Sequence, residues 1–111
     1  MPSHAHRRRV LYVGHDYALL AALRYGLAGL DCMVVRHPAD GLSTARLLIG
    51  SDIPYEVLLF DAVLVGATGA ELERFALSLP HRAGTPTSIV EEADDATAIA
   101  ERVGRLLAGR D

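Results

Sequence analysis

Short apolar segments alternate along this chain with segments whose leucines recur at helical spacing. The segments that predict strands are 10–13, 32–35, 57–60 and, with two hydroxyl-bearing residues, 87–90. Runs of this length are typical of strands that are buried on both faces of a parallel sheet. Amphipathic helices are predicted where apolar residues recur every three or four positions, in segments 19–27, 42–49, 70–79 and 96–107. This order predicts an α/β protein with right-handed crossovers and helices on both faces of the sheet.

Composition narrows the class of protein further. With 111 residues, 50% of them apolar and 23% charged, the chain is expected to form one globular domain over residues 10–111. Residues 1–9, which include three consecutive arginines, are expected to form a flexible arm. The net charge of −3 disfavours nucleic acid as a partner. The absence of a long apolar run disfavours a membrane span or signal peptide, so we expect a cytoplasmic protein.

Two residue counts restrict the chemistry. The single cysteine, Cys32, excludes an internal disulfide and a cysteine-based zinc site. All eleven basic residues are arginines, and the chain contains no lysine. Any reaction that requires a lysine side chain is therefore excluded.

Polar residues follow three of the predicted strands. Asp61 comes directly after 57–60, residues 14–16 (Gly-His-Asp) follow the first strand, and Glu91 follows the fourth. Ligands of an open parallel sheet bind beyond the carboxyl ends of its strands, so these residues are candidates for one site. Asp61 at this position suits nucleophilic or metal chemistry, but the same position also suits an aspartate that only caps the loop.

The segment 57–72 resembles the phosphoacceptor region of the receiver domains of bacterial response regulators. In that family the phosphoacceptor aspartate is followed by a glycine five residues later and by another three residues after that, and Gly66 and Gly69 have this spacing from Asp61. The usual proline of this loop is replaced by Val65. The resemblance implies a flavodoxin-like three-layer sandwich with the strands in the order second-first-third-fourth. It also implies a sheet of four or five strands, since the family's last strand–helix unit has no clear counterpart.

The supporting positions of the receiver motif differ in this chain. By resemblance, the acidic pair that holds Mg²⁺ falls on Gly14 and His15, so Asp16 and Asp61 are expected to bind the metal weakly or not at all. The carbonyl of Val63 corresponds to a further metal ligand, and the family's Thr or Ser switch position falls on Glu91. The family's lysine is absent. His15 is expected either to lie beside Asp61, replacing the metal as a positive charge, or to face solvent.

Two functions follow from this resemblance, and neither makes the chain an enzyme. The first is an atypical receiver in two-component or phosphorelay signalling that binds a protein partner, such as a histidine kinase or an output protein, without phosphorylation. The alternative is a working receiver that is phosphorylated on Asp61. A third possibility, a small α/β enzyme or ligand-binding module, lacks an accompanying base or cofactor loop.

The predicted fourth strand lies at the edge of the sheet, where its backbone groups are open to pairing. We therefore expect a homodimer or a contact with a signalling partner through this strand and the last helix. The predicted interface residues are Ser88, Ile89, Val90, Ile99, Val103, Leu106 and Leu107.

Overall fold

The computed structural model describes residues 8–26, 32–37, 42–64 and 66–109. The strands are β1 (Arg8–Val13), β2 (Cys32–His37), β3 (Tyr55–Asp61), β4 (Val63–Leu64), β5 (Ala67–Thr68) and β6 (Thr87–Val90). The helices are α1 (Tyr17–Gly26), α2 (Leu42–Gly50), α3 (Gly69–Leu77) and α4 (Ala96–Ala108), with a short 3₁₀ turn at Pro80–Arg82. The predicted alternation of strands and helices is therefore confirmed.

Four strands form one parallel sheet in the order β2-β1-β3-β6. This is the order that the resemblance implied, and of the two expected counts the described residues show four strands. The loop predicted after Asp61 contains a small antiparallel hairpin, β4 with β5, which the sequence analysis did not anticipate. At Gly66 the backbone has a positive φ of 87°, which glycine adopts without the steric cost that a side chain would bring.

Helices cover both faces of the sheet, as predicted. On one face α1 and α4 pack together and enclose Tyr12, Leu19, Leu23, Leu59 and Val103. On the other face α2 and α3 enclose a second cluster that includes Leu11, Leu58, Phe60, Leu72 and Ala76. Successive residues of β1 and β3 point to opposite faces, so a continuous apolar run supplies both clusters.

The structure corrects most of the predicted interface. Four of its seven residues are core residues that expose between 0% and 7% of their surface: Val90, Ile99, Val103 and Leu107. They are buried because α4 turns its apolar stripe toward α1 and the sheet, and such residues cannot contact a partner. Ser88, Ile89 and Leu106 are partly exposed.

Two strands, β1 and β3, begin earlier than predicted. β1 begins at Arg8, so Arg8 and Arg9 of the predicted arm are strand residues, while residues 1–7 lie outside the described part. β3 begins at Tyr55, two residues earlier than predicted, because Tyr55 pairs with Arg9 of the longer β1. Among the described residues no helix has the length and apolar character that crossing a bilayer requires.

Candidate functional site

A cleft of about 300 Å³ lies at the carboxyl ends of β1, β3 and β6. Its lining residues are His15, Asp16, Asp61, Ala62, Val63, Val90, Glu91 and Glu92. Five predicted site residues, from three separate loops, therefore meet in one place: His15, Asp16, Asp61, Val63 and Glu91. The sixth, Gly14, is buried directly beside Asp61.

The loop after Asp61 is held against the sheet by backbone hydrogen bonds. The Ala62 N–H donates to the Val90 carbonyl at 2.9 Å, and the Gly69 N–H donates to the Ala62 carbonyl at 3.0 Å. A Cβ on residue 69 would overlap the carbonyl oxygen of Asp61. Glycine at 69 therefore allows α3 to start directly against the end of β3, beside the backbone of Asp61.

The carboxylate of Asp61 is engaged by Tyr12, a residue that the sequence analysis did not identify. The buried Tyr12 hydroxyl donates a hydrogen bond of 2.7 Å to Asp61 Oδ1 and accepts one of 3.1 Å from the Asp16 N–H. Burial and this bond to Asp61 both raise the pKa of Tyr12, so the phenol stays protonated and acts as the donor. The sequence contains one signal for this contact, which is a tyrosine inside an aliphatic, buried strand. Such a tyrosine needs a hydrogen-bond partner for its hydroxyl.

Gly14 makes room for this contact. A Cβ on residue 14 would lie 2.6 Å from the Tyr12 hydroxyl oxygen and closer still to the Asp61 carboxylate. Any side chain here would push Tyr12 and Asp61 apart. The position to which the resemblance assigns the first acidic residue is therefore occupied by a glycine, which packs against Asp61 and has no side chain to bind a metal.

Asp16 caps a helix. Its Oδ1 accepts a hydrogen bond of 3.1 Å from the Leu19 N–H, and its carbonyl accepts one from the Leu20 N–H. These are the contacts of an N-cap residue, which satisfies a free N–H in the first turn of α1. One oxygen of the only acidic residue in the loop after β1 is thereby directed to α1.

His15 meets Asp61 mainly through its backbone. The His15 N–H is a hydrogen-bond donor to the Asp61 carboxylate, while the imidazole side chain is exposed. The exposure of His15 agrees with the alternative in which it faces solvent, and its contact with Asp61 is made by the main chain, which was not expected.

The pKa of Asp61 is raised above its ordinary value by burial. The hydrogen bonds from Tyr12 and the His15 backbone oppose this shift, as does the charge of His15, and Asp16 adds to it as a like charge. The main influence on this carboxylate is thus the loss of water. In a working phosphoacceptor site, positive charge around the carboxylate would instead stabilise its ionised form.

Two solved structures have the same architecture as this chain. The receiver domain of the hybrid histidine kinase CckA matches with a TM-score of 0.64 and 22% identity, covering 89% of this chain and 98% of that one. A response regulator from Desulfuromonas acetoxidans matches with a TM-score of 0.59 and 13% identity, covering 91% and 97% of the two chains. This chain has the receiver fold. No protein-family model and no curated protein sequence matches it significantly.

Within the receiver fold, Asp61 lies where the resemblance places the phosphoacceptor, and the groups around it suit an anion poorly. Glu91 and Glu92 line the same cleft. The backbone N–H of Glu91 donates a hydrogen bond of 2.8 Å to Asp94 Oδ2. No group of three metal-binding side chains occurs in the described part of the chain. With Asp16 capping α1 and Asp61 bound by Tyr12, the residues present fit Mg²⁺ poorly.

Replacing Tyr12 by phenylalanine is expected to raise the pKa of Asp61 further. The Tyr12 hydrogen bond stabilises the ionised carboxylate, and the variant removes it. The expected loss in unfolding free energy is about 1 kcal/mol at about pH 7. Because the bond matters most to the ionised form, the loss should shrink as the pH falls below the folded-state pKa of Asp61. Carboxyl-carbon NMR titration and urea unfolding at several pH values measure both effects.

Tyr17→Phe serves as the matched control for that experiment, because Tyr17 exposes 68% of its surface at the start of α1. This variant should leave the Asp61 titration unchanged. A Tyr12→Phe protein with an unaltered Asp61 pKa would contradict the assigned hydrogen bond.

Proposed function

We propose that this chain is a receiver-like module in two-component or phosphorelay signalling that acts by binding a protein partner, without phosphorylation of Asp61. The observation that carries the proposal is the Tyr12 hydroxyl on the Asp61 carboxylate at 2.7 Å. A nucleophilic carboxylate must present a free oxygen to the phosphorus atom. Here one of the two carboxylate oxygens accepts the hydrogen bond of a buried phenol, and the His15 N–H donates to the same carboxylate, so both contacts compete with an incoming phosphoryl group. The Tyr12 hydroxyl also accepts from the Asp16 N–H and so positions the loop after β1.

The charges around the cleft support the same conclusion. A phosphoryl group brings additional negative charge to Asp61, and stable binding requires cations or hydrogen-bond donors around it. The cleft contains three further carboxylates, of Asp16, Glu91 and Glu92, against one basic side chain, that of His15, and the chain has no lysine. The proposal therefore includes no resident metal cofactor and no enzymatic activity. The partner would be a histidine kinase or an output protein, met in the cytoplasm of a bacterial cell.

The alternative, a working phosphoacceptor, rests on one observation. The cleft beside Asp61 has a volume of about 300 Å³, which is ample for a phosphoryl group, and the carboxylate is only partly buried. One experiment distinguishes a working phosphoacceptor from a module that acts without phosphorylation.

The test exposes the protein to Mg²⁺ with acetyl phosphate, and in parallel to Mg²⁺ with beryllofluoride, a phosphoryl mimic. Intact-mass spectrometry reports a covalent phosphoryl group, and amide NMR reports binding in the cleft. We expect no adduct and no shifts around Asp61, because repulsion and the missing lysine disfavour the phosphorylated state. The control is Asp61→Asn, which removes the nucleophile. An adduct in the unaltered protein that is missing from this control would establish the alternative.

A further inference from the structure

The outer edge of β6 offers unpaired backbone groups. In the described residues β6 pairs with β3 alone. The carbonyls of Pro86 and Val90 accept hydrogen bonds from β3 and its following residue. Since alternate residues of a strand direct their N–H and C=O groups to opposite sides, those of Thr87 and Ile89 point away from β3. This edge therefore presents two donors and two acceptors to an incoming strand.

Two charges flank this edge, one on each face of the sheet. Glu73 of α3 accepts a hydrogen bond from the Thr87 hydroxyl, and Arg102 of α4 donates one of 2.7 Å to the Ser88 hydroxyl. Thr87 and Ser88 are adjacent, so their side chains lie on opposite faces. Both charged side chains are partly buried, and neither forms an ion pair within the portion of the chain that the structure describes. The edge is thus negative on one face and positive on the other.

A second copy of the chain matches this edge poorly. Antiparallel pairing of two β6 strands places a two-fold axis perpendicular to the sheet, so each face continues into the same face of the partner. Glu73 would then lie on the same face as the partner's copy of that residue, and Arg102 likewise. Parallel pairing would require one strand to be shifted along the other, which a two-fold axis does not allow. Like charges across a strand pair are destabilising.

We propose that the β6 edge binds an extended segment of a partner protein, which adds a fifth strand to the sheet. The segment carries a basic residue opposite Thr87, where it faces Glu73, and an acidic residue opposite Ser88, where it faces Arg102. Backbone hydrogen bonds supply the attachment, and the two adjacent charges select the segment and its register. This inference rests on the proposed partner-binding function and names the surface that performs it.

The experiment titrates the full chain with two blocked hexapeptides and follows the amide NMR signals. Both peptides contain valine and threonine around two central residues, which are arginine and aspartate in one peptide and glutamine and asparagine in the other. We expect shifts at Thr87 and Ile89 with both peptides, and about fivefold tighter binding of the charged one. The double variant Glu73→Gln/Arg102→Gln should bind the two peptides equally.

The matched control, Glu101→Gln/Arg105→Gln, removes one exposed charge of each sign from α4 and should keep the preference. Ile89→Pro deletes an N–H on the open side alone and should abolish the shifts, with unchanged α1 signals confirming the fold.

Equal binding of both peptides by the unaltered protein would overturn the proposal, as would an absence of shifts at millimolar peptide. A dimer in sedimentation that Ile89→Pro dissociates would assign the edge to a second copy instead. None of these outcomes depends on Asp61, so phosphorylation could be observed while this edge still binds the peptide.

Discussion

Replacing Arg82 by alanine is expected to lower the free energy of unfolding by about 3 kcal/mol, because three carbonyls lose a charged donor. Arg82 exposes only 3% of its surface. Its guanidinium donates to the carbonyls of Leu48 at 3.2 Å, Ile49 at 2.8 Å and Ser51 at 3.0 Å. Leu48 and Ile49 lie in the last turn of α2, where carbonyls lack the N–H partner of a following turn, and Ser51 comes directly after the helix. The Leu48 carbonyl also accepts from the N–H and hydroxyl of Ser51. A cation is also favoured at this end of a helix dipole.

The same guanidinium lies 5.1 Å from the centre of the Tyr55 ring, so Arg82 joins α2 to the start of β3. Arg82→Lys keeps the positive charge but lacks the planar set of N–H donors of the guanidinium. We expect it to lower the free energy of unfolding by about 2 kcal/mol. Arg74→Ala removes an exposed arginine of α3 and should change stability by less than about 0.5 kcal/mol. Urea unfolding measures all three variants. A loss below about 1 kcal/mol for Arg82→Ala would show that water replaces the guanidinium at these carbonyls.

Gly69→Ala should destabilise the fold by a similar amount, about 3 kcal/mol, since the new methyl group overlaps backbone atoms. The Cβ would overlap the Asp61 carbonyl oxygen and lie 3.0 Å from its carbonyl carbon and 3.2 Å from the Phe60 Cβ. None of these atoms belongs to the far end of a flexible side chain, so α3 itself must move. That movement would disturb the carboxylate of Asp61 as well as the stability.

Gly50→Ala provides the comparison, because a Cβ at the last residue of α2 meets nothing within 4 Å. It should be neutral or stabilising by about 0.5 kcal/mol, since alanine restricts the unfolded chain. Thermal and urea unfolding of the two variants separate a local clash from the general effect of replacing glycine in a helix. Equal stabilities for the two proteins would contradict the close packing of α3 against β3.

The order of the elements and the position of Asp61 could be predicted from the sequence because both depend on local patterns. A four-residue apolar run followed by a charged residue indicates the end of a buried strand wherever it occurs. The spacing of Gly66 and Gly69 is likewise a local signal, and each glycine meets a steric need next to Asp61 or in its loop. The absence of lysine is a property of the sequence alone.

The partners of Asp61 were decided by the tertiary structure. Tyr12 and Asp61 are 49 residues apart in the chain and meet because β1 and β3 pair side by side. The same holds for the predicted interface, where the apolar stripe of α4 is equally compatible with a partner surface and with the protein's own core. Periodicity shows that such a stripe must be buried, but only the packing of α4 on α1 shows what buries it. Local sequence thus determined which segments form helices and strands, while contacts between distant segments determined which side chains meet.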